Sequence, residues 1–314
     1  MKQRIFTGFF IALILISAFL LREFTLYAFD TFALILSVFS AYEFSKLLSK
    51  LNFYNNKWVI CAYPVLSYGL FLCSLLTNMK FYLAFVLQVA LILILMLGLI
   101  VYSLIFKRKT DNEIKTRDLK HGLLKFSIYK SIHTMFGLFY PTVLLMPLYI
   151  LNHLGQVGLF TNETHISNIG LAGLLFAFAI PVITDIFCML CGTFFKGKKL
   201  CPNISPNKTV SGAIGGVVFA LLVSICLFLI LDATATFENL FSIINLKLWH
   251  IIILSVIASV SGQFGDIFES FIKRKANVKD SGSLLPGHGG ILDRIDSHLF
   301  VYPVVLLFFV ILLI

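Results

Sequence analysis

Residues 81–106 read F-Y-L-A-F-V-L-Q-V-A-L-I-L-I-L-M-L-G-L-I-V-Y-S-L-I-F, with no acidic or basic residue among them. A helix of that length rises further than the ~30 Å hydrocarbon core of a bilayer is thick, and it offers water no charged face. Comparable runs lie near 5–21, 26–45, 58–77, 133–152, 168–194, 209–231, 247–265 and 298–314. About nine transmembrane helices are therefore predicted, and the class is an all-α polytopic integral membrane protein, because helices satisfy their own backbone in lipid. Composition agrees: 59% hydrophobic residues, 33 Phe, 13% charged residues and a mean hydropathy of +0.95 exclude an ordinary soluble domain. The first run follows Lys2 and Arg4, but no A-x-A-like cleavage site follows Leu21, so it is read as a retained helix.

Charge sets the orientation. With the N-terminus cytoplasmic, the tail, the loops 46–57, 107–132 and 195–208, and the segment 266–297 share one side. That side holds every Lys and Arg of the 25 except Arg22, Lys80 and Lys247. The net charge of +10 thus belongs to one membrane face, where it suits anionic lipid headgroups rather than nucleic acid. For the lysines from Lys107 to Lys130 a purely topogenic role suffices.

Only 15 acidic residues are present, yet five of them, Asp266, Glu269, Asp280, Asp293 and Asp296, fall between 266 and 296, beside Lys273, Arg274, Lys275, Lys279 and Arg294. Asp266, Glu269, Ser270, Lys273 and Arg274 share one helical face by spacing. An ionisable residue near a membrane interior is costly and usually faces a protein cavity, which marks Asp266 and Glu269 as functional candidates. Gly282, Pro286, Gly287, Gly289 and Gly290 then force a loop of close backbone approach, bracketed by Lys279-Asp280 and Asp293-Arg294-Ile295-Asp296. Such a loop beside basic side chains suits phosphate, although the glycines alone more often make only a turn, and paired Asp residues suit oxygen-liganded Mg²⁺.

Two other segments fall on the same face. Asp185 is a carboxylate inside the sixth apolar run. Ser205-Pro206-Asn207-Lys208-Thr209 precedes the seventh, where a helix N-terminus with a lysine and hydroxyls serves either as a phosphate site or as an N-cap with topogenic lysines. Gly212, Gly215 and Gly216 suit close helix packing. The six cysteines lack paired zinc spacing, and Cys188-x-x-Cys191 lies within a helix, so all are read as packing residues. Asn162-Glu163-Thr164 is a glycosylation sequon that chance explains.

The 266–296 segment resembles the phosphatidate cytidylyltransferases, also called CDP-diacylglycerol synthases. Ser270, Lys273-Arg274, Lys279-Asp280, Gly282, Pro286, His288-Gly289-Gly290, Asp293-Arg294 and Asp296 meet that family's signature at every fixed spacing. S-P-x-K-T at Ser205 to Thr209, G-x-x-G-G at Gly212 to Gly216, and Asp185 seven residues before Gly192 are also similar. Ile186-Phe187-Cys188-Met189 and Ser211 depart from it. The resemblance implies transfer of a cytidylyl group from CTP to phosphatidic acid, with membrane lipids as surroundings. It implies Asp266 and Asp296 as principal Mg²⁺ ligands, with Asp293 assisting directly or through water, a second monovalent or divalent cation being left open. Lys273, Arg274, Lys279 and Arg294 would bind triphosphate and lipid phosphate, and Asp280 would orient a base or ligand. His288 would donate a proton, brace the turn or bond a phosphate. Ser205, Lys208, Thr209, Ser270, Gly289 and Gly290 would line the substrate site.

Rival readings are a polyprenol or dolichol kinase, a CDP-archaeol synthase, and a transporter or scramblase. Charges clustered on one face and the lack of an internal repeat disfavour the transporter. The expected organisation is a platform of N-terminal transmembrane helices over 1–160, with a homodimer left open, and a catalytic region over 161–314. The expected home is a bacterial cytoplasmic (inner) membrane with the active site on the cytoplasmic face.

Overall fold

The computed structural model describes residues 2–77, 79, 81–106, 122–155, 168–234, 241 and 244–313. The loop 107–121, Lys80, the sequon at 162–164 and the boundary expected near 160 lie outside the described residues.

The helices are α1 (Lys2–Arg22), α2 (Leu26–Lys50), α3 (Lys57–Leu76), α4 (Phe81–Ile105), α5 (Leu123–Leu138), α6 (Pro147–Asn152), α7 (Ile169–Phe195), α8 (Val210–Asp232), α9 (Leu248–Lys275) and α10 (Leu292–Leu313). Between α7 and α8 stands an antiparallel hairpin of β1 (Lys199–Cys201) and β2 (Ser205–Thr209), which the apolar pattern does not foretell. Among the described residues eight stretches are long and apolar enough to cross a membrane, one of them running from α5 through α6, and α1 adds a shorter apolar helix. The protein is an integral membrane protein.

The loop expected over 107–132 is shorter than its charges suggest, because α5 begins at Leu123. Its lysines do not stop the helix. Lys130 Nζ lies 5.8 Å from the Phe126 ring centre and Lys125 Nζ 5.9 Å from that of Tyr129, so both stems lie along apolar surface. α5 ends where Tyr140 takes φ −89°, ψ 83°, the extended conformation that a following proline, here Pro141, imposes.

Two compact units result, one of Leu34–Val143 and the other of Met1–Ala33 with Leu144–Ile314. In the first, α3, α4 and α5 pack on one another. Phe44 meets the rings of Phe136 and Tyr140, and Asn56 caps α3 while its own backbone N–H donates to Thr134 Oγ1 at 2.9 Å. Residues 1–33 join the second unit through a buried polar knot. Arg22 Nε donates to Asn152 Oδ1 at 2.7 Å, Asn152 Nδ2 donates to Asp30 Oδ1 at 2.8 Å, and His153 Nε2 lies 2.7 Å from Asp30 Oδ2. Polar groups buried this deeply in a membrane protein persist because each satisfies another.

In the second unit α7 packs along α8, α8 along α9, and α9 along α10. The α7–α8 seam is as close as backbones allow. A methyl group on Gly212 would stand 2.5 Å from the Cys188 carbonyl oxygen, and one on Gly215 2.5 Å from Cys191 Sγ. This is the packing role expected of those glycines, and it assigns Cys188 and Cys191 to the same seam. All six cysteines are free thiols.

Candidate active site

The site is built at one end of the second unit. α9 continues to Lys275, beyond its apolar run, and α10 starts at Leu292, before its own, so Asp266, Glu269, Lys273, Asp293 and Asp296 all stand on helical turns. Gly265 admits α10: a methyl group there would stand 2.6 Å from the Asp296 carbonyl oxygen. Close approach at that point brings two helices' carboxylates together.

A cavity of about 780 Å³ opens between α7, the hairpin, α8 and α9. Asp185, Lys208, Thr209 and Asp266 line its charged part, and Cys188, Met189, Ala213 and Ile267 its apolar part. Lys208 Nζ lies 2.7 Å from Asp266 Oδ2. Asp185 and Asp296 interact electrostatically with Asp266 and with each other, so three helices each supply one carboxylate. Ser297, which no spacing argument singles out, connects two of them. Its hydroxyl donates to Asp185 Oδ2 at 2.9 Å and lies 3.4 Å from Asp296 Oδ1, while its N–H donates to the latter at 2.7 Å.

Other expected residues are committed elsewhere. Asp293 receives Lys273 Nζ at 2.7 Å on Oδ1, and on Oδ2 the N–H groups of Ser281 at 2.9 Å and Gly290 at 2.8 Å. Lys273 also lies 3.2 Å from Glu269 Oε1, so this half-buried lysine is the shared cation of two carboxyl groups. Arg294 donates through Nε and Nη2 to the His288 carbonyl, and Arg274 Nε donates to the Ile204 carbonyl in the hairpin at 3.3 Å. Ser270 Oγ reaches Asp266 Oδ1 only at 3.4 Å. Lys279 and Asp280 are exposed, and Ser205 sits in β2 outside the cavity lining.

The glycine loop is a tight turn. Gly289 has φ +84°, a conformation glycine enters freely, and Leu285 N–H donates to its carbonyl at 2.9 Å. The Gly290 N–H is already given to Asp293, so this turn holds its shape from within. His288 packs near Gly8 of α1, and Thr7 Oγ1 donates to the Pro286 carbonyl at 2.9 Å. The start of α1 and this loop therefore share one end, as the charge alternation requires.

A model of the cytidylyltransferase family matches residues 2–312. The chain belongs to that family. Phosphatidate cytidylyltransferases from Staphylococcus saprophyticus, Staphylococcus haemolyticus and Staphylococcus aureus are 44%, 43% and 43% identical to it over 134 residues. These alignments take in 43% of this chain and 47% of each relative, so the chain spans about half the length of the curated relatives it matches.

Lys196, Lys199 and Gln263 also line the cavity of this family member. Lys196 and Lys199 read as topogenic charge in the sequence, and only the hairpin's return over α7 brings them to the site. Asp185 was legible as a buried carboxylate. Ser297 left a single trace, its place directly after Asp293-Arg294-Ile295-Asp296.

Proposed function

We propose that the protein is a phosphatidate cytidylyltransferase, making CDP-diacylglycerol and pyrophosphate from CTP and phosphatidic acid. The observation that carries this reading is a cavity whose carboxylates and lysines adjoin an apolar lining, as a substrate with a phosphate head and acyl chains needs. A phosphate oxygen of phosphatidic acid bonds to the α-phosphorus of CTP as the bond to the pyrophosphate oxygen breaks. That nucleophile is already ionised, so the protein's work is positioning and charge neutralisation.

The residues present fit Mg²⁺. Asp185, Asp266 and Asp296 place three negative charges within range of one another, an excess that Lys208 offsets only in part. Among the described residues no three acidic, His or Cys side chains are grouped so as to hold a metal ion by themselves. An ion that takes one or two carboxylates and completes its shell with water and phosphate suits such a site. Asp266 and Asp296 would hold it, and bound there it would neutralise charge on the phosphate oxygens. Asp293, with both oxygens engaged, acts as the brace of the glycine loop, and Lys273 as its counter-ion. Lys208 and the exposed Lys279 bind phosphate. The cytoplasmic face of a bacterial inner membrane, where CTP is available, is the proposed location.

The test is incubation of wild type and Asp296→Ala in detergent micelles with phosphatidic acid, α-labelled CTP and Mg²⁺, following label into the organic phase. Magnesium-dependent lipid label from wild type alone is expected. Label transferred only from γ-labelled nucleotide to an alcohol lipid would overturn the reading in favour of a kinase.

A further inference from the structure

Four non-glycine residues have positive φ among the described residues: Asn52, Asn245, Asn277 and Lys196. Asparagine tolerates that region, whereas a lysine there carries the full steric penalty. Lys196 ends α7 at φ +53°, ψ −144°, near the corner that glycine alone enters freely, and Gly197 follows at φ +113°. Such strain persists only where the surroundings impose it.

The surroundings are specific. Ser211 Oγ, in the first turn of α8, donates to the Lys196 carbonyl and lies 3.2 Å from Thr209 Oγ1, which itself accepts the Gly212 N–H at 3.1 Å. Val210 N–H donates to the Lys198 carbonyl at 2.9 Å. The start of α8 thus grips the turn from both sides. Lys196, Gly197 and Lys199 line the cavity with Lys208, while Ser211 is not among its lining residues.

We propose that Ser211 is a positioning residue: it holds the 196–197 turn in its strained form so that Lys196 and Lys199 stand over the cavity and bind substrate phosphate. This rests on the transferase reading above. The phosphate belongs either to CTP or to phosphatidic acid, and varying each separately tells them apart.

The experiment measures initial rates for wild type, Ser211→Ala, Ser211→Thr, Lys199→Ala and Lys196→Gly, and for Lys196→Gly combined with Ser211→Ala. Ser211→Ala should raise KM for one of the two substrates by about three- to tenfold, the worth of one hydrogen bond, with kcat little changed. Lys199→Ala should raise the same KM, and Ser211→Thr, which keeps the hydroxyl, should restore it. In the Lys196→Gly background, where the turn is no longer strained, Ser211→Ala should matter less than about twofold. That last comparison holds even if Ser211→Ala alone fails to fold. Unchanged KM for both substrates in Ser211→Ala, or an equal Ser211→Ala effect in both backgrounds, overturns the proposal. A wild type that makes no CDP-diacylglycerol would instead refute the assigned reaction.

Discussion

Replacing Asp293 by asparagine separates a loop brace from a metal ligand. The substitution keeps shape but leaves one acceptor oxygen where two now serve Lys273, Ser281 and Gly290. With the amide oxygen turned to the loop, the NH₂ faces the Lys273 ammonium, and that lysine keeps only Glu269. Turned the other way, the NH₂ confronts the N–H groups of Ser281 and Gly290, both buried residues. Either choice strands a buried donor or a buried charge, at about 2 to 3 kcal/mol. A penalty confined to this loop raises its open fraction by about 30- to 150-fold. Lys279 is exposed within it, so trypsin cleavage there in detergent should quicken by that factor while reclosing outpaces cleavage. The Mg²⁺ concentration for half-maximal turnover should stay near that of wild type. Unaltered protection of the loop together with a large rise in that concentration would refute the reasoning and return Asp293 to the metal.

Three further outcomes are expected. Asp266→Asn and Asp296→Asn should each lower turnover by several orders of magnitude while leaving the Lys279 cleavage rate unchanged, and a near-normal rate in either removes it from the ligand set. Ser297→Ala takes a hydrogen bond from the Asp185 carboxylate and should lower kcat by about 10- to 100-fold, with Ser297→Thr partly active in the same labelled-CTP assay. Gly212→Val forces a branched side chain against the Cys188 carbonyl and should lower the unfolding temperature in detergent by several degrees, whereas Val218→Ala on the exposed side of α8 should not.

The helices were legible because lipid demands apolarity over a fixed length, and that demand leaves a mark no local preference can hide. Their ends were less so. Spacing puts the charges of 266–274 on one helical face, but 292–297 precedes the apolar run at 298–314. Only the structure shows α10 starting at Leu292, with Lys273 set between Glu269 and Asp293. Likewise Lys125 and Lys130 lie along aromatic rings rather than ending α5. The signature residues are plain in the sequence, but their side-chain partners are not. Spacing treats Asp293 and Asp296 alike, and only the three-dimensional partners distinguish one that grips a loop from one that adjoins Asp185 and Asp266. Lys196 and Lys199 were hidden because a two-stranded hairpin of eleven positions, 199–209, has no periodicity long enough to register.

The bond from Thr7 to the Pro286 carbonyl joins positions 279 residues apart. A ribosome delivers α1 to the membrane long before the glycine loop exists, so that helix waits in lipid for a partner synthesised 279 residues later. Defects in α1 should therefore surface late in biogenesis, as chains that insert with every span in place yet never seat the loop.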